Sequence, residues 1–547
     1  MLAVGGNRWR RWPRRGVFVA TACFGFLIVG AVPASAHAVL EHSSPAADAV
    51  VRTQPSFVVL TYDEAVVAAS DALHVYDDKL QPVKVGTTTH PGGQGDSIET
   101  ALPGGLANGT YTVTWRVTSA DTHIVSGSFE FSIGHRTRVT GAPPTVRQDP
   151  ATLTASGVIR GLGYVGLIAG PGMLVVALWL WPAGLALRRV RRTVVYAGVG
   201  LAGVTLAGFV VQGALAAGVP LVHAFHASVL HLGIDGRFGK AGMERLALLV
   251  VIADLFLLTA GHSRRRRYAV SVAALALAAT WPDAGHASIG SLVPLAFIAD
   301  LVHVAAMATW LGGLLLLVSA LLATSDEDAP AVVVRFSRWA LTAVAMIVGT
   351  GLFAAWRNVR HWAALVATRY GVLLLLKTGV VLVVIAIAVI SRRLAVQRVG
   401  GRSLASSTLR RAVAAEAGAA VLVLGITAAL TGTAQAYEVY APAFTQAATD
   451  AGVVVTVHLD RTRVGSTRLV VSTQRSSGGV QRILTISGSL TEVEPPVGPL
   501  PITFKAVAPG REVATVSFPD QGSWQVQLNV QTSPINEVAV TATVPIK

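Results

Sequence analysis

One cysteine, Cys23, and five methionines are the only sulfur in 547 residues. A chain so poor in thiols has no disulfide framework and no cysteine zinc knuckle. Once Cys23 is removed with a leader, a metal must be held by nitrogen and oxygen. Charge is scarce too: 13% of the residues are charged, against 52% hydrophobic. That balance excludes an ordinary water-soluble globular domain. Acidic residues are the scarcer sign, 29 against 44 Lys and Arg, for a formal charge of +15. The arginines lie in short runs between apolar stretches, Arg188 to Arg192, Arg264 to Arg267 and Arg392 to Arg411. This is the pattern of membrane topology, and it argues against a nucleic-acid patch. No G-x-x-x-x-G-K-[ST] run is present, which excludes a P-loop pump and gives no reason to expect a nucleotide.

The apolar residues are grouped rather than dispersed. Residues 1–36 read as a signal peptide: Arg8, Arg10, Arg11, Arg14 and Arg15 precede an apolar run from Gly16 to Val32 and a small-x-small site, Ala34-Ser35-Ala36. An uncleaved anchor helix is the alternative, because the run is close to the roughly 17-residue minimum for a span. Cleavage after Ala36 would make His37 the new N-terminus. Residues 37–138 carry short β-branched runs, Phe57 to Tyr62, Ala72 to Tyr76, Thr110 to Val117 and Gly127 to Ile133, broken by Pro-Gly, Asn-Gly and Gly-Gly turns. They predict a β-sandwich.

A Pro-rich linker over 139–154 leads to a transmembrane domain over 155–435. Eight stretches there have spanning length, near 157–182, 193–217, 243–262, 267–283, 292–320, 333–356, 371–391 and 411–433. If the first enters from outside, the outer loops hold only Arg237, Lys240, Arg357, Arg360 and Arg369 of the loop Lys and Arg. The cytoplasmic loops hold the rest, as the positive-inside rule requires. Residues 440–547 return to alternating strands such as Gly452 to Leu459, Thr467 to Thr473, Ile483 to Gly488 and Trp524 to Val530. The expectation is a multi-pass protein of the cytoplasmic membrane, an eight-helix bundle with a β-sandwich at each end and both sandwiches outside.

An N-terminal histidine offers an α-amine and an imidazole to one metal, and both are neutral donors near pH 7 to 8. A nitrogen-rich planar set suits Cu(II). Asp121-Thr122-His123 offers further donors, because residues two apart on a strand share a face. Taken alone, a D-x-H is more often a surface Asp beside a hydrogen-bonded His. His42, His74 and His90 are alternatives, and His135 lies past the last strand.

The segments His37-Ala38-x-Leu40-x-x-Ser43-x-Pro45-Ala46 and Gly109-Thr110-Tyr111-x-Val113-x-Trp115-Arg116-Val117-x-Ser119-Ala120-Asp121-x-His123-x-x-Ser126-Gly127-x-Phe129 resemble the two signatures of the CopC family of exported copper proteins. The resemblance implies that the amine and imidazole of His37, with Asp121 and His123, bind Cu(II). No methionine falls within 37–140, so the domain resembles the members without a Met-rich Cu(I) site.

Ionisable residues within spans default to functional or structural roles. The candidates include Arg160, Arg245, His286, Asp300, His303, Lys377 and Glu416, with Asp300 and His303 one turn apart on one face. Asp300-Leu301-x-His303-x-x-Ala306-x-x-x-Trp310-Leu311-Gly312-Gly313, Gly285-His286-Ala287, Arg335-Phe336-Ser337 and Thr368-x-Tyr370-Gly371-x-x-Leu374-x-x-Lys377 resemble the CopD copper-resistance family. Together the two resemblances point to a CopC–CopD fusion of the YcnJ-like copper resistance and uptake kind. They imply copper as the partner and a copper pathway past His286, Asp300 and His303. A buried structural hydrogen bond, such as His303 to Asp300, is the alternative. His223, His226 and His231 in an outer loop can also collect metal. Gly452 to Arg468 and Phe518-x-x-x-Gly522-x-Trp524-x-Val526 resemble YtkA-like exported sandwiches, in which only His458 offers an imidazole.

The function expected is non-enzymatic: capture of Cu(II) outside the membrane and its passage to the spans for import, homeostasis or resistance. Two rivals remain. In one the outer domain sequesters or senses copper and the spans only anchor it. In the other the chain is a haem or cupric-reductase-like redox protein, since membrane histidines also ligate haem.

Overall fold

The computed structural model describes residues 38, 40–119, 124–139, 149–257, 264–285, 287, 292–319, 329–399, 406–450, 452–493, 499–518 and 522–546. The first 36 residues lie outside these, and so does the signal peptide expected there.

The N-terminal β-sandwich has eight strands: β1 Leu40–Ser44, β2 Val50–Val51, β3 Phe57–Tyr62, β4 Leu73–Tyr76, β5 Pro82–Val83, β6 Ser97–Ala101, β7 Gly109–Thr118 and β8 Ile124–Ile133. One sheet runs β1-β3-β6 and the other β2-β8-β7-β4-β5. Alternation builds the interior: on β3, Val58, Leu60 and Tyr62 point inward and are buried to within 1%. They meet Val75, Ile98, Val113, Trp115 and Phe131 in one core. The β7–β8 hairpin is in register along its whole length, from Gly109 opposite Ile133 to Thr118 opposite Ile124. β8 starts three residues earlier than its sequence pattern predicts, because this pairing with β7 extends past the apolar run.

Among the described residues eight long helices follow: α1 Pro150–Leu180, α2 Arg188–Ala217, α3 Gly236–Leu257, α4 Arg264–Asp283, α5 Val293–Ser319, α6 Ala329–Val359, α7 Arg369–Val399 and α8 Ser406–Leu430. Among the described residues five of them, α1, α2, α5, α6 and α7, contain stretches long and apolar enough to cross a membrane. Many of their large apolar side chains face outward, such as Val199, Leu352 and Leu382. That is the pattern expected of a bundle solvated by lipid.

α1 begins earlier than expected and takes the last residues of the predicted linker. Asp149 caps it, accepting from the Thr152 amide at 2.9 Å and the Thr152 hydroxyl at 2.7 Å, and Pro150 supplies the first helical residue. Ile168–Gly172 is a π-turn containing Pro171, whose missing N–H needs no partner there. α2 ends on Gly218 in the left-handed conformation (φ 71°).

Where α6 and α8 end and α7 begins, Val359, Ala364, Tyr370, Leu430 and Ala436 form a small cluster. The chain then enters two C-terminal sheets. One holds β14-β15-β11-β10-β9, namely Lys505–Ala508, Arg511–Phe518, Gly465–Arg475, Val453–Leu459 and Phe444–Asp450. The other holds β13-β12-β16-β17, namely Leu500–Pro501, Thr485–Glu492, Gly522–Ser533 and Asn536–Ile546. Both contribute to one core around Trp524 and Phe518, which meet edge to face at 5.7 Å.

Candidate copper site and the polar layer between the helices

His37, Asp121 and His123 lie outside the described residues, but the scaffold that carries them is described. Ala38, the residue after His37, is 2% exposed within the sandwich core. Leu40 on β1 pairs with Tyr62 on β3. Tyr62 meets Trp115 of β7 edge to face at 5.5 Å. The Trp115 ring lies over Gly127 of β8, where a Cβ would stand 2.5 Å from Cζ2. The packing chain Leu40–Tyr62–Trp115–Gly127 thus ties the start of the domain to the hairpin that runs into residues 119–124. This explains why Trp115 and Gly127 belong to one motif: the glycine is the space the indole needs.

The other histidines of this domain have different surroundings. His90 is tied by Nδ1 to the Ser97 carbonyl at 2.8 Å, a structural role, while His42 is exposed and His74 packs near Tyr76 at 6.4 Å. An open cleft of about 490 Å³ beside β3 is lined by Thr61, Asp63, Glu64, Gln94, Asp96 and Ser97. Among the described residues no group of three or more His, Cys, Asp and Glu is arranged to hold a metal ion.

The sandwich touches the helices through Arg116 of β7. Its Nη2 donates to the Leu215 carbonyl near the end of α2 at 2.6 Å. Burial pulls this guanidinium below its usual pKa, and Asp71 nearby acts in the opposite direction. The segment beyond α2 carries His223, His226 and His231. The rings of His223 and His226 stack at 5.6 Å between centroids, and His231 Nδ1 is 3.9 Å from Asp235.

Inside the bundle, polar residues from several helices meet at one level. Arg160, Arg245, Asp300 and Lys377 lie eight to eleven residues from the start of α1, α3, α5 and α7. At 1.5 Å per residue this is about 12 to 16 Å from the end nearest the N-terminal sandwich. Asp300 is within electrostatic reach of Tyr164, Lys377 and Arg357. Arg245 lies 3.8 Å above the Trp281 ring and donates to the Thr280 hydroxyl at 3.1 Å. His303 hydrogen-bonds through Nδ1 to Thr350 Oγ1 of α6 at 2.9 Å, so its partner there is Thr350. Lys377 is near His303 as well. His286 lies outside the described residues, as does the side chain of Glu416.

The Thr368 motif builds the turn that sets Lys377 at this depth. Thr368 Oγ1 accepts from Gly371 N at 3.0 Å and donates to Ala364 O, and Tyr370 Oη accepts from Asn358 Nδ2 at 3.1 Å. Sequence reasoning found Arg160, Arg245, Asp300, His303 and Lys377, passed over Tyr164 and Thr350, and read Arg357 as a loop charge, whereas it is buried in the last turn of α6. Tyr164 follows Arg160 by four residues, a helical spacing that signals it. Thr350 carries no signal in its own segment.

The comparisons with known proteins agree with this division. Residues 40–134 match the CopC domain, 152–293 the copper resistance protein D-like N-terminal domain, and 330–430 copper resistance protein D. The chain is 26% identical over 368 residues to the copper transport protein CutJ of Bacillus subtilis (strain 168), covering 65% of this chain and 67% of that protein. It is 33% identical over 105 residues to copper resistance protein C of Xanthomonas campestris pv. juglandis, covering 18% of this chain and 82% of that one. The crystal structure of CopC from Methylosinus trichosporium OB3b is matched at 28% identity over 19% of this chain and 100% of that chain, with a TM-score of 0.17. A copper-resistance sandwich fused to a bundle of apolar helices defines the class. The chain belongs to the CopC family through its N-terminal domain and carries CopD domains in the same polypeptide.

Proposed function

We propose that this protein captures Cu(II) outside the cytoplasmic membrane and delivers it to its own helices for movement across the bilayer. The observation that carries this reading is the presence of a CopC domain and CopD helices in one chain, as in a relative named for copper transport. The amine and imidazole of His37, with Asp121 and His123, hold the ion, a nitrogen-rich set that suits Cu(II). His286, Asp300 and His303 form the inner pathway. All eight helices cross the membrane, and a leader is cleaved before His37. Both β units then face the extracytoplasmic side, the C-terminal one as a YtkA-like sandwich with a structural or docking role. The matched families are those of copper resistance and transport, and no catalytic step is assigned.

Two measurements test this. Copper titration of the full chain should give one tight Cu(II) site that is lost when a residue is inserted between Ala36 and His37. Unchanged affinity overturns the ligand assignment. Radiocopper flux into vesicles holding the purified protein should occur and should fall in a His286→Ala/His303→Ala double variant. Normal flux in that variant removes both histidines from the pathway, and no flux in the parent chain leaves the helices as an anchor.

A further inference from the structure

We infer that Arg116 is an interdomain latch, which seats the copper-binding sandwich on the two ends of the outer loop between α2 and α3. This rests on the delivery reading above and adds to it the means of alignment.

The last carbonyls of a helix lack intrahelical donors and sit at the negative end of its dipole, so a guanidinium there is favoured. Leu215 O already accepts from Gly218 N at 3.2 Å, and Arg116 Nη2 adds the second donor at 2.6 Å. Gly218 is fitted to this contact twice over. Its φ of 71° is left-handed, and a Cβ on it would collide with Arg116 Nη1. The second contact lies at the opposite end of the same loop. Val67 bridges to Thr118 at the end of β7 through a pair of 2.8 Å hydrogen bonds. Its Cγ2 approaches within 3.0 Å of the Cβ position on Gly236, the left-handed first residue of α3. Arg116 on β7, and Val67 bridged to the end of that strand, therefore touch the two glycines that bracket the loop holding His223, His226 and His231. That strand runs directly into the hairpin segment carrying Asp121 and His123.

Covalent attachment alone does not impose this alignment. Thr137 is still tied to the sandwich, donating from its amide to Thr110 Oγ1 at 2.9 Å, so twelve residues, 138–149, separate it from Pro150. At 3.3 to 3.6 Å per residue they reach about 40 Å. A tether of that length raises the local concentration of the sandwich but leaves its orientation open. A charge-assisted hydrogen bond into a helix terminus fixes it.

The test uses the full chain with Cys23→Ser, Val67→Cys and Arg237→Cys in membranes, treated with a short bis-maleimide and followed by radiocopper uptake. Cross-linking should be efficient and should fall about tenfold with Arg116→Ala, the factor carried by one hydrogen bond to a charged group. Gly218→Ala, changed on the helix side, should do the same. Arg116→Lys should restore part of it, since lysine also reaches terminal carbonyls. Without the cross-linker, Arg116→Ala should lower uptake at limiting copper about tenfold and leave the saturated rate intact, whereas a misfolded chain would lose both. Unchanged cross-linking in Arg116→Ala and Gly218→Ala overturns the latch, whatever the uptake. Absence of copper uptake in the parent chain overturns the delivery reading instead, and the cross-linking still decides the latch.

Discussion

Gly127 shows how a single residue carries the geometry of the copper domain. Its hydrogen is what lets the Trp115 indole lie flat across β8, and through Tyr62 that ring reaches the start of β1. Gly127→Ala should therefore force the ring out of place and cost about 1 to 3 kcal/mol, the range for overpacking a closed core. Thermal unfolding followed by tryptophan fluorescence measures this. A change below about 0.5 kcal/mol would mean that the ring has another place to go. The sequence displays Trp115 and Gly127 as parts of a motif but not their contact, because they meet across a hairpin rather than along it. Arg116 was legible only as a letter of the same motif, since its partner Leu215 lies 99 residues away on a helix.

Helix crossings make the same point at the scale of elements. Gly312 and Gly313 belong to the Trp310-Leu311-Gly312-Gly313 motif, and the structure gives each a reason. A Cβ on Gly312 would stand 2.5 Å from Met173 N, and one on Gly172 would meet the Ala308 carbonyl, so α1 and α5 cross backbone to backbone. A Cβ on Gly313 would strike the Phe336 ring of α6. Small residues at such crossings replace the hydrophobic drive that lipid removes. Gly312→Ala should lower the unfolding temperature of the detergent-solubilised protein, and Gly312→Val more so. Gly349→Ala on α6, where nothing lies within 4 Å, should be neutral or gain up to about 1 kcal/mol of helix propensity. Equal losses at both positions would show that the crossing is not tight. The apolar runs announced where the helices lie, because lipid demands continuous hydrophobicity. Their ends were less legible: Asp149 and Pro150 start α1 within what composition marks as linker, since a cap acts through one or two polar residues that a hydropathy pattern does not weigh.

On the scale of the whole molecule, both β units leave the bundle at the same end. The sandwich rests on Leu215 and Gly236, and the chain reaches the C-terminal sheets past Ala436 and Tyr440, with Tyr440 near His361 at 5.9 Å and Tyr437 under Arg360 at 4.3 Å. If that end faces outward, single cysteines at Val222 and Ile535, 79% and 93% exposed, should react with a membrane-impermeant maleimide in intact cells. One at Arg265, in the run that begins α4, should react only after lysis. Labelling of Arg265→Cys in intact cells would reverse the orientation. Composition and the loop arginines alone predict this sidedness. The meeting of Asp300 with Tyr164, Lys377 and Arg357 was beyond their reach, because it depends on how four helices rotate against one another. The two glycines touched by the sandwich have a further consequence. The stretch between them is anchored separately, since Ala227–Ile234 is a helix whose Val229 carbonyl and Gly233 lie against Gly213 and Phe209 of α2, while His223, His226 and His231 stay exposed, so its exposed positions can change in charge or ligand type while their position over the helices stays fixed. A chain built this way can acquire a different metal preference at that loop by local substitution, without redesigning the joint between its domains.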